Sequence, residues 1–321
     1  MISLRERIIM DRILSICRNF YEPLLNKSNV TGVGMGYKQV QGEYTNEFCI
    51  HVLVKKKVPL TSIPVEEVIP EFYMGHKTDV IQVGNVAEGS VEDTKALLTD
   101  RVRPLISGYC IMAGGISTGT IGCVVKKRTK TGYDYFILGN NHILAARNRL
   151  SIGAPILQPS IDYGGDPIKD KVATLTKYIP IKDKTWYRTP INYVDCAIAK
   201  ISNINNISNR LALEGPIMGV SSAGLGETVV KVGMVTGLTS GAVRTIGITT
   251  EVESSDGKHV ALYKDLIRAE IKNNSGDSGA LVVNSKTYAV GLFLASSEKK
   301  NAFYCSIDKC LRELDVEIYT G

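Results

Sequence analysis

The segment Asn274-Ser275-Gly276-Asp277-Ser278-Gly279-Ala280 carries the sharpest chemical signal in the chain, and an apolar run, 281–283 (LVV), follows it at once. A serine hydroxyl attacks a carbonyl only when a base takes its proton and the backbone presents it to substrate. Glycines on both sides of Asp277-Ser278 allow a turn in which other residues would clash. That turn can aim the N–H groups of Gly276 and Ser278 at an oxygen that becomes negative in a tetrahedral intermediate. Losing one such donor typically costs about 3–4 kcal/mol of transition-state stabilisation. Taken alone, the segment reads equally well as a polar hairpin turn of a β protein.

Two further positions could complete a nucleophilic site. In 138–146 (LGNNHILAA) a strand ends, the chain turns through Gly139 and two asparagines, and His142 opens a short apolar helical turn. An imidazole on a packed strand-end loop is what a general base requires; the plainer reading is a histidine capping the turn. In 192–200 (NYVDCAIAK), Asp195 stands at the mouth of an apolar strand. A carboxylate is costly there unless paired. It could accept a ring proton from His142 and stabilise the imidazolium, or simply bond its own loop. The other histidines compete poorly: His51 alternates inside a strand, His76 lies in a Gly-Lys turn, and His259 follows Asp256-Gly257 at a hairpin tip.

These residues need a β framework. From Gly108 onward the chain reads as short apolar strands separated by Gly, Asn and Asp turns, the pattern of sandwiches or small barrels. The expected fold is mainly β, with two six-stranded antiparallel barrels preceded by a small α+β N-terminal domain. The expected boundaries are 1–88 for that domain and 89–107 for a linker. The first barrel, with His142 and Asp195, spans 108–205, and the second, with Ser278, spans 206–321. Within the first unit, Ile9, Ile13, Ile16, Phe20 and Leu24 recur at helical spacing over 1–25, and strands are expected at 30–40, 48–54 and 79–83. The polar stretch 88–103 is expected to hold a helical turn. Gly32, Gly34 and Gly36 lack the helix and Lys-Ser/Thr of a phosphate loop, so they read as a strand packed tightly on a neighbour.

Composition narrows the function classes. The 321 residues are 44% hydrophobic and 22% charged, an ordinary globular balance. No apolar run approaches the roughly 18–20 residues that span a bilayer. Arginines interrupt the opening stretch 1–25 and no small-residue cleavage site follows, so the expected compartment is the cytoplasm. The seven cysteines are scattered in apolar runs and read as buried free thiols. Cys305 and Cys310 lack the second ligand pair of a zinc site. The net charge of +6 is spread in short runs such as Lys55-Lys56-Lys57 without interleaved aromatics, which does not point to nucleic acid.

Together, GNNHILA (139–145), VDCAIA (194–199) and GDSGA (276–280), in that order, resemble the histidine, aspartate and nucleophile motifs of trypsin-like serine peptidases. VGMVTGLTSGAV (232–243) resembles a hairpin of bacterial and plant members. The N-terminal VTGVGMGYK, VKKK and TDVIQVG resemble the extension of the plant "narrow leaf" type and its bacterial relatives. The resemblance implies a serine endopeptidase acting on protein or peptide through an acyl-enzyme, with no metal or cofactor. Ser278 would be its nucleophile, His142 its base and Asp195 its orienting acid, with the Gly276 and Ser278 amides as oxyanion hole. It also implies a specificity pocket near Lys272, Leu292 and Phe293, where Lys272 would favour an acidic or polar residue before the cut bond; an exposed lysine is the other reading. Two departures matter. Ile143 follows His142 where secreted relatives have a disulfide, and no activation site stands ahead of the barrels to provide a new N-terminus for Asp277. The competing reading is a catalytically silent scaffold working through its N-terminal domain, whose amphipathic helix is a candidate surface for self-association. An esterase is a third, but its Gly-x-Ser-x-Gly elbow is absent.

Overall fold

The computed structural model of the chain describes residues 3–89, 96–298 and 300–321. The turn expected within 88–103 falls partly on 90–95, outside the described residues. The N-terminal helix, Leu4–Asn19, opens on a capping box. The Ser3 hydroxyl accepts from the Glu6 N–H at 3.2 Å, and the Glu6 carboxylate accepts from the Ser3 N–H at 2.7 Å. Ile13, Ile16 and Cys17 form its buried face. The helix expected over 1–25 is broken at Phe20. Pro23 cannot donate to a preceding turn, so it starts a separate short helix, Glu22–Leu25.

In chain order, the strands used below are β1 (Val30–Val40), β2 (Glu43–Val54), β3 (His76–Gln82), β4 (Cys110–Ala113), β5 (Ser117–Thr120), β6 (Cys123–Arg128), β7 (Tyr133–Gly139), β8 (Pro155–Leu157) and β9 (Lys171–Tyr178). They continue with β10 (Ala197–Ile201), β11 (Thr228–Gly233), β12 (Gly237–Glu253), β13 (Val260–Glu270), β14 (Leu281–Asn284), β15 (Tyr288–Ser297), β16 (Asn301–Ser306) and β17 (Glu317–Ile318). The protein is mainly β. An eight-stranded sheet runs in the order β17-β6-β7-β10-β9-β8-β4-β5. A twelve-stranded sheet contains the run β13-β16-β15-β14-β11-β12, and a further β12–β13 pairing closes those six strands into a ring. The N-terminal strands extend this second sheet: β1 pairs antiparallel with both β12 and β2, and β2 pairs parallel with β3.

Strand alternation explains how the two halves share a core. Val124 and Ile137 point into the first sheet's own interior, whereas Cys123, Val125, Phe136 and Leu138 face the second sheet. Likewise Val282 points into the ring, and Leu281 and Val283 join that shared apolar layer. The seam between the halves is therefore a continuous layer of buried apolar side chains. The three glycines of β1 sit where a neighbour leaves no room. A Cβ on Gly36 would lie 2.0 Å from the His51 ring and one on Gly34 2.7 Å from Thr245.

Candidate active site

His142 stands just beyond the end of β7, in the short helix Asn141–Leu144. Asn140 and Asn141, both fully buried, tie that turn down. Asn140 Nδ2 donates to the Asp195 carbonyl at 2.8 Å, and Asn141 Nδ2 donates to Ile179 O at 2.7 Å. Asp195, two residues before β10, is also fully buried. Its Oδ1 accepts from the backbone N–H of Asn141 at 2.6 Å and of His142 at 3.1 Å, while its Oδ2 bonds His142 Nδ1. A carboxylate can only accept, so Nδ1 carries the proton and Nε2 keeps its lone pair in the neutral ring. His142 Nε2 is buried and has no hydrogen-bond partner among the described residues.

Ser278 lies on the loop that leads into β14, and it is 2% exposed. Gly276 (φ +90°) and Gly279 (φ +93°) adopt the left-handed backbone that favours glycine. Thr120 braces the loop: its hydroxyl donates to Gly276 O at 2.7 Å and its N–H donates to Ser278 O at 2.9 Å. Among the described residues, the Gly276 and Ser278 N–H groups donate to no protein acceptor.

Asp277 anchors the loop from behind, and its partner is Lys231. The ammonium lies 2.7 Å from Asp277 Oδ2, with both side chains at 0% exposure. Thr236 Oγ1 donates to the same oxygen at 2.7 Å and Asn274 N at 3.1 Å; Val235 N and Thr236 N donate to Oδ1 at 3.0 and 3.1 Å. The charge partner of Asp277 is therefore a lysine from within the chain. Burial pulls the Lys231 ammonium's pKa below its ordinary value, against the opposing pull of Asp277. Gly233 makes room for this network, since a Cβ there would meet Asp277 Oδ1 at 2.1 Å.

His142, Ser278, Gly276 and Ser275 line one cleft of about 660 Å³. A second carboxylate joins them. Glu88 is 3% exposed, and one of its oxygens lies within 4.8 Å of donor atoms of His142 and Asp195. Arg147 bridges Glu88 to Asp183 through its two terminal nitrogens. Burial alone would lower the His142 pKa, but the Asp195 and Glu88 carboxylates outweigh it and hold the imidazolium above its ordinary value. Burial raises the Glu88 pKa against the pull of His142 and Arg147.

The expected specificity pocket does not assemble, which corrects the sequence reading. Leu292 (0% exposed) belongs to the layer between the sheets, and Phe293 (2%) points into the ring, its centroid 5.6 Å from Lys231 Nζ. Both lie in β15, paired on both of its edges. Lys272 alternates with the buried Ile271 and Asn273, so it turns outward. It lines a separate cavity with Tyr44, Arg268 and Glu270. Sequence reasoning also missed Glu88, Arg147 and Lys231. Only Lys231 left a readable trace, as a lone charge inside the apolar strand run Thr228–Gly233.

The remaining candidates resolve into structure. His51 is fully buried; its Nε2 donates to Tyr37 O at 2.9 Å and its Nδ1 accepts from Thr245 Oγ1 at 3.0 Å, leaving no lone pair for an ion despite nearby Cys49 and Asp79. Burial lowers its pKa to about 3. His259 sits at the cleft rim, 3.2 Å from Asp183, and His76 is half-buried. All seven cysteines are free and buried. Among the described residues, no helix is long and apolar enough to cross a membrane.

No protein-family model matches the chain, and no curated protein matches it. Solved structures that it resembles include Thermobifida fusca protease A, at 17% identity over 67% of this chain and 98% of that one, with a TM-score of 0.49. Cellulomonas bogoriensis chymotrypsin (17% identity, TM-score 0.46) and Nocardiopsis protease (16%, 0.46) cover the same shares. The structures to which the chain is similar are thus trypsin-like serine proteases, and at these identities no residue role passes from them to this chain.

Proposed function

We propose that the chain is a serine endopeptidase working by acyl transfer, with Ser278 as nucleophile, His142 as general base and acid, and Asp195 as the group that orients the imidazole. The observation that carries this reading is the His142–Asp195 pair. Two backbone N–H groups and the Nδ1 contact determine its tautomer, and the unspent Nε2 belongs to a residue of the same cleft as Ser278. In the reaction, Ser278 Oγ adds to the substrate carbonyl as His142 Nε2 takes its proton. The Gly276 and Ser278 amides stabilise the oxyanion. The imidazolium, paired with Asp195, then protonates the leaving amine, and water clears the ester by the reverse steps. Hydrogen bonds between nucleophile and base are commonly long without substrate and tighten in the Michaelis complex.

The test is labelling by a fluorophosphonate probe of wild type, Ser278→Ala and His142→Ala. Labelling of wild type alone supports the reading. A folded wild type that takes no label supports the silent-scaffold alternative instead.

A further inference from the structure

The stretch that precedes the undescribed residues 90–95 runs through the cleft, bonded along both of its backbone edges. On one side Ala87 N donates to Ser296 O at 3.1 Å, and Ser296 N donates back to Ala87 O at 3.0 Å, an antiparallel bridge to the end of β15. On the other side Glu253 N donates to Val86 O at 3.1 Å and Glu88 N donates to Glu253 O at 2.8 Å. Glu88 is directed to His142 and Asp195 and clamped by Arg147. Gly89 then presses on the nucleophile loop, where a Cβ would lie 2.8 Å from Ser275 Cα. Glu88 and Gly89 line the same cleft as Ser275, Gly276, His142 and Ser278. An extended peptide recognised by a sheet edge is held in this way: main-chain bonds supply the affinity and alternate side chains the selectivity. Here the chain itself supplies the peptide.

We propose, on the endopeptidase reading above, that the protein is its own first substrate: residues 86–89 are a tethered acyl-side peptide, and Ser278 cuts the peptide bond that follows Gly89. Ser278 Oγ adds to the Gly89 carbonyl carbon while its proton passes to His142. The C–N bond breaks, the imidazolium gives that proton to the departing nitrogen, and residue 90 becomes a new N-terminus. Water then adds to the ester, one of its protons going to His142, and the Gly89 carboxylate forms as Ser278 regains its hydroxyl. Tethering makes the step unimolecular, and well-oriented intramolecular reactions reach effective molarities of about 10⁵–10⁸ M. Gly89 suits the position because a side chain would strike Ser275. The pieces stay together after the cut. Strand β1 remains paired with β12 of the second sheet, and Ala87 and Glu88 remain bonded to Ser296 and Glu253.

The full chain and its Ser278→Ala variant should be compared by denaturing gel and intact mass, with fluorophosphonate labelling of the wild type in parallel. Wild type is expected to be a single particle in native buffer that separates on denaturation into 1–89 and 90–321, with Ser278→Ala and Gly89→Val intact. The rate should be unchanged by dilution, and a tagged Ser278→Ala chain mixed with wild type should stay whole. A wild type that labels at Ser278 yet remains intact overturns the self-cleavage proposal and leaves the endopeptidase reading standing. A wild type that neither labels nor cuts overturns both. Cleavage of the tagged Ser278→Ala chain, or at another bond, overturns the tethered substrate.

Discussion

Replacing Lys231 by Met removes the cation from Asp277 and keeps an apolar side chain of similar length in the strand. The ammonium and carboxylate are 2.7 Å apart at 0% exposure, so no solvent takes the lost charge's place. Breaking one side of a buried pair costs about 3–5 kcal/mol. Four donors remain on Asp277, from Asn274, Val235 and Thr236, which keeps the loss toward the lower end. At about 2 °C per kcal/mol for a chain above roughly 150 residues, Tm should fall by roughly 6–8 °C. Labelling of Ser278 should slow by about 10²-fold or more, the usual consequence of losing one oxyanion donor, because the loop that aims the Gly276 and Ser278 amides has lost its anchor. The assay is thermal unfolding together with the second-order labelling rate. A Lys231→Met protein that unfolds within about 1 kcal/mol of wild type, the range of a surface pair, and labels at the wild-type rate would refute the reasoning.

Other expectations follow from the same geometry. The labelling rate should rise with pH through a midpoint above the ordinary histidine value of about 6.5, because the base acts only when neutral. Glu88→Gln removes one of the two carboxylates that raise it and should move that midpoint down. The same shift makes protonated His142 stabilising at low pH, a contribution lost as pH climbs through its folded pKa, which a pH series of urea unfolding would detect. Asp195→Asn should leave Ser278 in place but free the wrong imidazole tautomer, lowering labelling on the order of 10⁴-fold. Gly36→Ala should destabilise by about 1–3 kcal/mol in urea unfolding. Its Cβ would overlap the buried His51 ring at 2.0 Å without touching the cleft.

Local chemistry made much of this protein readable from its sequence. Period-two apolar runs between Gly and Asn turns require half-buried antiparallel strands, because only that spacing puts one set of side chains on one face. The glycines around Asp277-Ser278 and the asparagines before His142 announce backbone turns for the same local reason, so the His142, Asp195 and Ser278 segments could be picked out one by one. The helix limit at Phe20 was missed although Pro23 was in view; propensity over 1–25 outweighed a single missing N–H donor.

Only the tertiary structure decided which residues meet. Glu88 at His142 depends on a bridge between Ala87 and Ser296, far apart in the chain, and Lys231 at Asp277 depends on β11 pairing with β14, where Lys231 stands opposite Val282. Leu292 and Phe293 were misjudged because inward or outward direction on a strand changes with a one-residue shift in register, which pairing sets and spacing in the sequence does not; Lys272 lies beyond the end of β13, in a loop whose course only the fold sets. Sequence determined the local turns and the faces of the strands; the long-range pairings, whose partners are chosen by burial and shape across the whole core, decided the partner of Asp277 and the contents of the cleft.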